Sequence, residues 1–279
     1  MKPALYDTIS LRCSKVVTTG YSTSFSLGIR TLAVRHRPAI YAIYGFVRLA
    51  DEIVDTFFGH SQREMLDRFR QDTAEAISGG VSPNPVLHSF QWAVNTYNID
   101  NEFIEAFLCS MEMDLEQKNH DRHSYNQYIY GSAEAVGLMC LRVFCHDDPR
   151  AFDRLREPAR RLGSAFQKVN FLRDIRSDFV DRGRVYFPGV DFNKFTVAEK
   201  RQIEDDIAAD FSAALEGIRG LDHGSRRGVY LAYSYYQALF ARIRKTPPEA
   251  VTGQRFRISN TRKLWLLLKV IVKDGAGLL

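Results

Sequence analysis

The 279-residue chain predicts an all-α protein, a helical bundle with room for a central cavity, and three observations carry that expectation. Apolar residues recur at helical spacing in long stretches, no βαβ alternation or series of Val/Ile-rich strands is present, and the joints between stretches are short and rich in turn formers. Pro38 opens AIYAIYGFVRLADEIVDTFF, a mostly apolar run too long for a strand and suited to a buried helix of about four to five turns. Further helices are expected over 64–77, 86–97, 101–117, 125–144, 149–180, 198–218, 225–244 and 260–272. Between them lie SGGVSPNP, NID, KNHDRH, HDDPR, DRGRVYFPGVD, GLDHGS and TPPEAVTGQ. The longest joints, 181–195 and 246–259, are candidates for mouth loops, with ordinary connections as the plain alternative. No solenoid period and no linker appears, so one domain over 1–279 is expected.

Composition excludes several classes. With 45% apolar and 25% charged residues the chain is neither disordered nor collagen-like, and it is large enough to bury a sizeable core. No uninterrupted apolar run reaches the roughly 18 residues of a spanning helix; the best, 264–272, contains Lys269. The amino terminus, MKPALYDTISLRCSK, carries Asp7 where a secretory signal would be apolar, so a cytoplasmic location is expected. A peripheral contact with the inner membrane face through 263–273, which holds Trp265 among lysines, is part of that expectation, as is its alternative, a core helix end. The four cysteines, Cys13, Cys109, Cys140 and Cys145, form no CxxC pair and read as reduced thiols. A net charge of +5 from dispersed basic residues suits an anionic small molecule or an acidic membrane and does not by itself indicate nucleic acid. The seven histidines show no zinc spacing, and HExxH, GxSxG and Walker sequences are absent.

The chemistry concentrates in two distant acidic segments, Asp51-Glu-Ile-Val-Asp55 and Asp174-Ile-Arg-Ser-Asp178. Each places two aspartates at i and i+4, about 5–6 Å apart on one helix face, where like charges repel unless a cation compensates. DxxxD alone is common on solvated helices. Here, however, Asp51 and Asp55 end a run that should be buried, and Gln167, Asn170 and Asp174 make a polar stripe at spacings of three and four. Two such pairs facing each other across a cavity would form an oxygen-rich site for a hard divalent cation, and Mg²⁺ fits. Asp114, in SMEMDLEQ, either faces the same site from a third helix or faces solvent.

Tyr44-x-x-x-Arg48-x-x-Asp51-x-x-x-Asp55 and Gln167-x-x-Asn170-x-x-Arg173-Asp174-x-x-x-Asp178 resemble the two signature regions of the phytoene and squalene synthase family, the head-to-head prenyl transferases. Ser22-Thr-Ser24-Phe25 is similar to the family's amino-terminal Ser-Phe segment. Tyr128-Ile-Tyr130-Gly131-Ser-Ala133-Glu-Ala-Val136-Gly137 resembles its YxYGxAxxVG helix, and Gly183-Arg184-Val185-Tyr186-Phe187-Pro188 its GR-aliphatic-Y-aromatic-P loop. Three positions depart from the pattern: DEIVD stands where many members have DDxxD, Glu134 where a small residue is expected, and Thr23 where some members carry Lys.

The resemblance implies an isoprenoid-synthase-type helical bundle, most like the bacterial phytoene-forming members. It implies that Asp51, Asp55, Asn170, Asp174 and Asp178 hold Mg²⁺ or Mn²⁺ against the diphosphates of two isoprenoid substrates. Arg48 and Arg173 would clamp diphosphate, for which guanidinium has the fork geometry, and Tyr44 would join them in catalysis. Ser22, Ser24, Gln167, Tyr186 and Arg255 are further candidates for substrate contact. Phe25, Tyr44, Tyr128, Tyr236, Val136 and Gly137 would line a dry channel whose aromatic faces tolerate a carbocation. The implied reaction joins two geranylgeranyl diphosphates through a cyclopropyl diphosphate to phytoene, the entry to carotenoids. Squalene or dehydrosqualene synthesis from farnesyl diphosphate would use the same aspartates, and a non-catalytic binding or assembly relative would be expected to have lost them. Squalene formation takes hydride from NADPH; no GxGxxG fingerprint is present, and NADPH is not expected.

Overall fold

A computed structural model describes residues 4–117, 119–251 and 253–277. Helices α1 (Leu5–Tyr21), α2 (Thr23–Thr31), α3 (Arg37–Asp55), α4 (Gln62–Gly79), α5 (Pro85–Tyr97) and α6 (Asn101–Glu116) make the first half. After α7 (Arg122–Ile129) a π-helical turn, Tyr130–Glu134, leads without a break into α8 (Ala135–Phe144). The long α9 (Pro149–Ile175) ends in a second π-helical turn, Arg176–Asp181. A 3₁₀ turn, Phe192–Lys194, precedes α10 (Val197–Arg219), α11 (His223–Arg244), the short α12 (Pro248–Val251) and α13 (Asn260–Gly275). The only strand-like pairing among the described residues is one parallel bridge between Asn119 and Val185.

The expected helices are present to within a few residues, and two more precede them. α1 escapes a hydrophobic-periodicity reading because the face it buries is not apolar: Ser10, Ser14 and Thr18 are fully buried. Ser14 shares a 2.6 Å hydrogen bond with Ser89 of α5, and a Cβ on Gly45 of α3 would fall 2.7 Å from the Ser14 hydroxyl. Small polar residues thus let three helices approach closely, with the hydroxyls of Ser14 and Thr18 satisfied internally.

α3 divides the molecule. Ala39, Ala42, Phe46 and Ala50 are completely buried, with Phe46 stacked on Phe90 at 3.9 Å and on Phe69 at 5.4 Å. Its other face, Ile40, Ile43, Tyr44, Val47, Arg48, Asp51 and Asp55, follows the i, i+3, i+4, i+7 rule and lines a cavity of about 780 Å³. α9 presents a matching face from Leu155 to Asp174, and α2, α8, α10 and α11 complete the wall.

Close backbone approaches hold that wall in place. In the first π-helical turn a Cβ on Gly131 would sit 2.1 Å from the Ala106 carbonyl oxygen of α6. On α9 a Cβ on Gly163 would sit 2.6 Å from the Ala133 oxygen of the same turn. The turn is therefore clamped between two helices through one glycine on each side. On α9's outer side, Lys168 donates to Asp210 of α10 at 2.7 Å, and Ser164 donates to the same carboxylate at 2.8 Å. Asp210 is nearly inaccessible, so the pair fixes α9 against α10 where an unpaired charge would be costly.

Candidate active site

The cavity is polar at one end and apolar over the rest of its length. α3 and α9 run in the same sense along it, from Ile40 to Asp55 and from Leu155 to Asp174, so their C-terminal ends bring both aspartate pairs to one mouth. Asp55 is the last residue of α3, and Asp178 lies in the π-helical turn that widens the end of α9. The two distant pairs are in opposition: one nitrogen of Arg182, Nη1, lies 2.9 Å from Asp55 Oδ1 and 4.0 Å from Asp178 Oδ1.

Helix C-termini carry the negative end of the backbone dipole, so carboxylates gathered there repel both each other and the helix ends. Arginines answer every one of them. Arg48 pairs with Asp51 at 3.7 Å and also binds Glu52. Arg173 donates through Nε to Asp174 at 2.9 Å, and Arg255 reaches the other Asp174 oxygen at 2.8 Å. Arg184 joins Asp55 at 3.2 Å and Asp114 at 3.6 Å. Burial, reinforced by the neighbouring carboxylates, nevertheless pushes Asp51 and Asp178 up to about 7. The buried Nε of Arg48 has no hydrogen-bond partner, leaving a donor free at the mouth.

Asp114 faces the site, as the first of its two readings held. It is buried, accepts hydrogen bonds from Tyr128 at 2.8 Å and Tyr186 at 2.9 Å, and is pushed up to about 6, chiefly by burial. Tyr186 stacks on Phe171 at 4.1 Å, so the joint after the second aspartate pair is anchored and its three cavity-lining side chains, Arg182, Arg184 and Tyr186, are part of the mouth. Arg255, from the other long joint, is a second mouth residue.

Below the mouth the lining turns aromatic. Tyr236 stacks on Phe166 at 3.9 Å, with Phe25 6.2 Å from Tyr236 and 5.7 Å from Tyr44. The Tyr236 hydroxyl donates to Asn170 Oδ1 at 3.1 Å, and the Asn170 amide donates to Gln167 at 3.3 Å, so the polar stripe on α9 is linked to α11. Burial pushes the Tyr44 hydroxyl up to about 12, which keeps it protonated. Val136 and Gly137 continue the wall, and Leu155, Ala159, Leu162, Ile218 and Leu221 close its far end.

Of the residues singled out from sequence, Ser22, Phe25, Tyr44, Arg48, Asp51, Asp55, Tyr128, Val136, Gly137, Gln167, Asn170, Arg173, Asp174, Asp178, Tyr186, Tyr236 and Arg255 all line the one cavity. Ser24 does not. Ser22 caps α2, accepting from the Phe25 amide at 3.2 Å, and this sets the helix phase so that Phe25, Gly28, Ile29 and Leu32 face inward while Ser24 is turned about 100° away from Phe25. Glu134 leaves the channel shape intact, because it turns outward to Arg160 at 2.8 Å. Beside Thr23 the structure supplies a lysine from elsewhere: Lys263 of α13 donates to its hydroxyl at 2.7 Å. Cys145 is buried, the other three cysteines are half-buried, and all four are free.

Sequence reasoning left out Arg182 and Arg184, although the second stands inside a quoted motif. No three His, Cys, Asp or Glu side chains among the described residues are grouped closely enough to hold a metal by themselves. The donor set is nonetheless all oxygen, in two facing pairs with a guanidinium between them, which fits a cation that takes only one or two carboxylates and completes its shell with water and phosphate oxygens.

The sequence profile of the squalene/phytoene synthase family matches residues 18–262. The presqualene diphosphate synthase of Rhodopseudomonas palustris is 31% identical over 206 residues, covering 72% of this chain and 71% of that protein. The phytoene synthase of Arthrospira platensis is 26% identical, covering 92% of this chain and 91% of its own. A crystal structure of a dehydrosqualene synthase superposes with a TM-score of 0.82 at 21% identity, over 97% of this chain and 98% of that one, and so shares the isoprenoid-synthase fold. With the motifs, the cavity and these likenesses in agreement, the chain belongs to the squalene/phytoene synthase family, whose members are prenyl transferases of head-to-head condensation.

Proposed function

We propose that this protein condenses two geranylgeranyl diphosphates head to head into phytoene, by way of a cyclopropyl diphosphate. The observation that carries the choice of substrate is the length of the apolar channel. Lining residues on α9 extend from Asp174 at the mouth to Leu155 at the floor, about 28 Å along the helix axis. Extended at the rise per bond of a polypeptide, a C20 prenyl chain spans roughly 17 Å and a C15 chain roughly 13 Å. Measured the same way, Ala159 is about 22 Å from Asp174, so a C20 tail reaches the Leu162–Ala159 region with its diphosphate at the mouth.

The mouth residues bind and orient the two diphosphates. Arg48, Arg173 and Arg255 already sit against carboxylates there and can transfer guanidinium hydrogen bonds to phosphate oxygens. Asp51, Asp55, Asn170, Asp174 and Asp178 would hold Mg²⁺ or Mn²⁺, which when bound stabilises the departing diphosphate as the C–O bond breaks. Phe25, Tyr44, Phe166 and Tyr236 then present π faces to the cationic carbon skeleton below the mouth and keep water from it. The second substrate's double bond forms the new C–C bond to the cationic carbon in that dry region, loss of a proton closes the cyclopropane ring, and departure of the second diphosphate, rearrangement and loss of a second proton complete the product.

A second reading, a C15 enzyme that stops at the cyclopropyl diphosphate, is favoured by the 31% identity to a presqualene diphosphate synthase. Supplying labelled C15 and C20 diphosphates separately with Mg²⁺, with and without NADPH, separates the readings. A C40 hydrocarbon from the C20 substrate, unaffected by NADPH, is expected. A cyclopropyl diphosphate accumulating from C15 alone establishes the second reading, and a C30 hydrocarbon points to squalene or dehydrosqualene synthesis.

Ala159→Phe tests the channel argument, since a ring there shortens the space beyond Leu162. Turnover of the C20 substrate should fall at least about ten-fold while C15 turnover is retained, because a chain shorter by about 4 Å stops short of the ring. Equal loss for both lengths contradicts the proposed register.

Replacing Asp51 or Asp174 with Asn should lower kcat by about 10²–10³ with the helical circular dichroism unchanged, a loss typical of removing one preorganised electrostatic contact. Unaltered product formation would remove the aspartates from the mechanism.

The raised pKa of Asp51 and Asp178, about 7 each, gives a definite pH dependence. Their folded pKa lies above the unfolded value, so the stability they contribute without metal is full below about pH 4 and is lost as pH rises through about 7. Metal binding competes with those protons. The rise in Tm on adding Mg²⁺ should therefore be larger at pH 8 than at pH 5.5, a difference measurable by calorimetry and diminished in Asp51→Asn.

A further inference from the structure

α13 is a 16-residue helix with three distinct faces. Leu266, Val270 and Asp274 are buried, the first two in a cluster with Leu231 and Tyr235 of α11, and Asp274 accepting from Arg227 Nε at 2.6 Å. About 145° around the axis from there, Leu264, Leu268, Ile271 and Val272 recur at i, i+4, i+7 and i+8 and are 43–70% exposed. Nothing among the described residues covers this apolar arc. Along its edge runs a cationic flank of Arg262, Lys269 and Lys273, and between arc and flank stands Trp265, 47% exposed, with Arg262 4.6 Å and Lys269 5.0 Å from its ring.

We propose that α13 docks the protein on the surface of an anionic lipid bilayer. The arc is apolar and the flank bordering it is basic, and the one acid of the helix, Asp274, is buried against Arg227, so the accessible charge of α13 is wholly positive. That charge complements anionic headgroups, while an indole at the boundary between apolar and charged surface has the amphipathic character of an interfacial anchor. No helix among the described residues is long and apolar enough to cross a membrane, so the contact is interfacial.

The docked orientation has a consequence for the cavity. Lys263, at the start of α13, bonds Thr23 beside the cavity-lining Ser22, and Arg255, just before the helix, bonds Asp174. A bilayer contact made through α13 is therefore joined to the polar mouth by these two bonds. The lipid contact itself stands on the helix surface and is independent of which prenyl diphosphate is used.

Co-sedimentation of the full chain with vesicles of phosphatidylglycerol and phosphatidylcholine, against pure phosphatidylcholine, tests the inference without reference to activity. The wild type should pellet with the anionic vesicles, less so as salt is raised, and its tryptophan emission should shift to the blue, a shift that Trp265→Phe removes. Leu268→Glu combined with Val272→Glu should weaken anionic-vesicle binding at least about ten-fold, with an unchanged Tm because both side chains are exposed. Arg262→Glu with Lys269→Glu should abolish the preference for anionic lipid. A wild type that stays in the supernatant, or an L268E/V272E protein that pellets equally, overturns the proposal. So does sedimentation equilibrium showing a wild-type dimer that L268E/V272E dissolves while no vesicle binding is seen, since the arc then meets a second copy of this chain.

Discussion

The gathering of four aspartates at the C-terminal ends of two helices is the constraint on which the rest of the molecule depends. Asp51 and Asp55 close α3, Asp174 and Asp178 close α9, and each position adds negative charge to a helix end that is already the negative pole of its dipole. Such a mouth persists only with positive charge in reach. Arg48 and Arg173 supply it from within the same helices, while Arg182, Arg184 and Arg255 supply it from the two long joints. The joints are therefore not simple connections. Their arginines hold the carboxylates apart from one another and are placed to exchange that partner for a diphosphate. The buried Nε of Arg48 has no hydrogen-bond partner among the described residues.

A second requirement is rigidity around a large hollow, because a carbocation survives only where water is excluded and the wall does not collapse. The molecule meets it with backbone contact in place of side-chain filling. Gly131 and Gly163 admit the carbonyls of neighbouring helices, and Gly45 admits Ser14. The π-helical turn at Tyr130–Glu134 lets Ser132, Ala133, Val136 and Gly137 all border the cavity across a change of helix type, a use to which such turns are often put. On the side of α9 away from the cavity, Lys168, Asp210 and Ser164 lock the helix to α10, so the polar stripe of Gln167 and Asn170 keeps its aim.

Local patterns were legible in the sequence, and contacts between distant segments were not. The aspartate pairs and the Gln167–Asn170–Asp174 stripe are statements about one helix each, so spacing alone put them on a face. Their opposition became an expectation through the family resemblance, and Arg182 bonding Asp55 at a separation of 127 residues had no sequence signal. Asp114 was evenly balanced because one acid on a helix has no periodicity, and only its contacts with Tyr128 and Tyr186 decide it. α1 was invisible because it buries serine and threonine. Ser24 does not line the cavity because a motif gives neighbours in sequence, whereas the Ser22 cap fixes which of those neighbours point inward.

The channel's length is set by the same close packing, which bears on how its substrate range can change. At the floor a Cβ on Gly217 of α10 would fall 2.2 Å from Pro158 Cβ, and one on Gly220 would fall 2.9 Å from Leu155. Helices α9 and α10 are thus already in contact there, and the floor cannot recede without separating them and breaking the Lys168–Asp210 pair above it. Nor can the walls move inward while Gly137 lies against the Ala159 carbonyl, where a Cβ would sit 3.3 Å away. With floor and wall backbones fixed, the adjustable quantity is side-chain volume along the channel. A small lining residue such as Ala159 is then a position where the depth of the channel can change without any change at the mouth carboxylates.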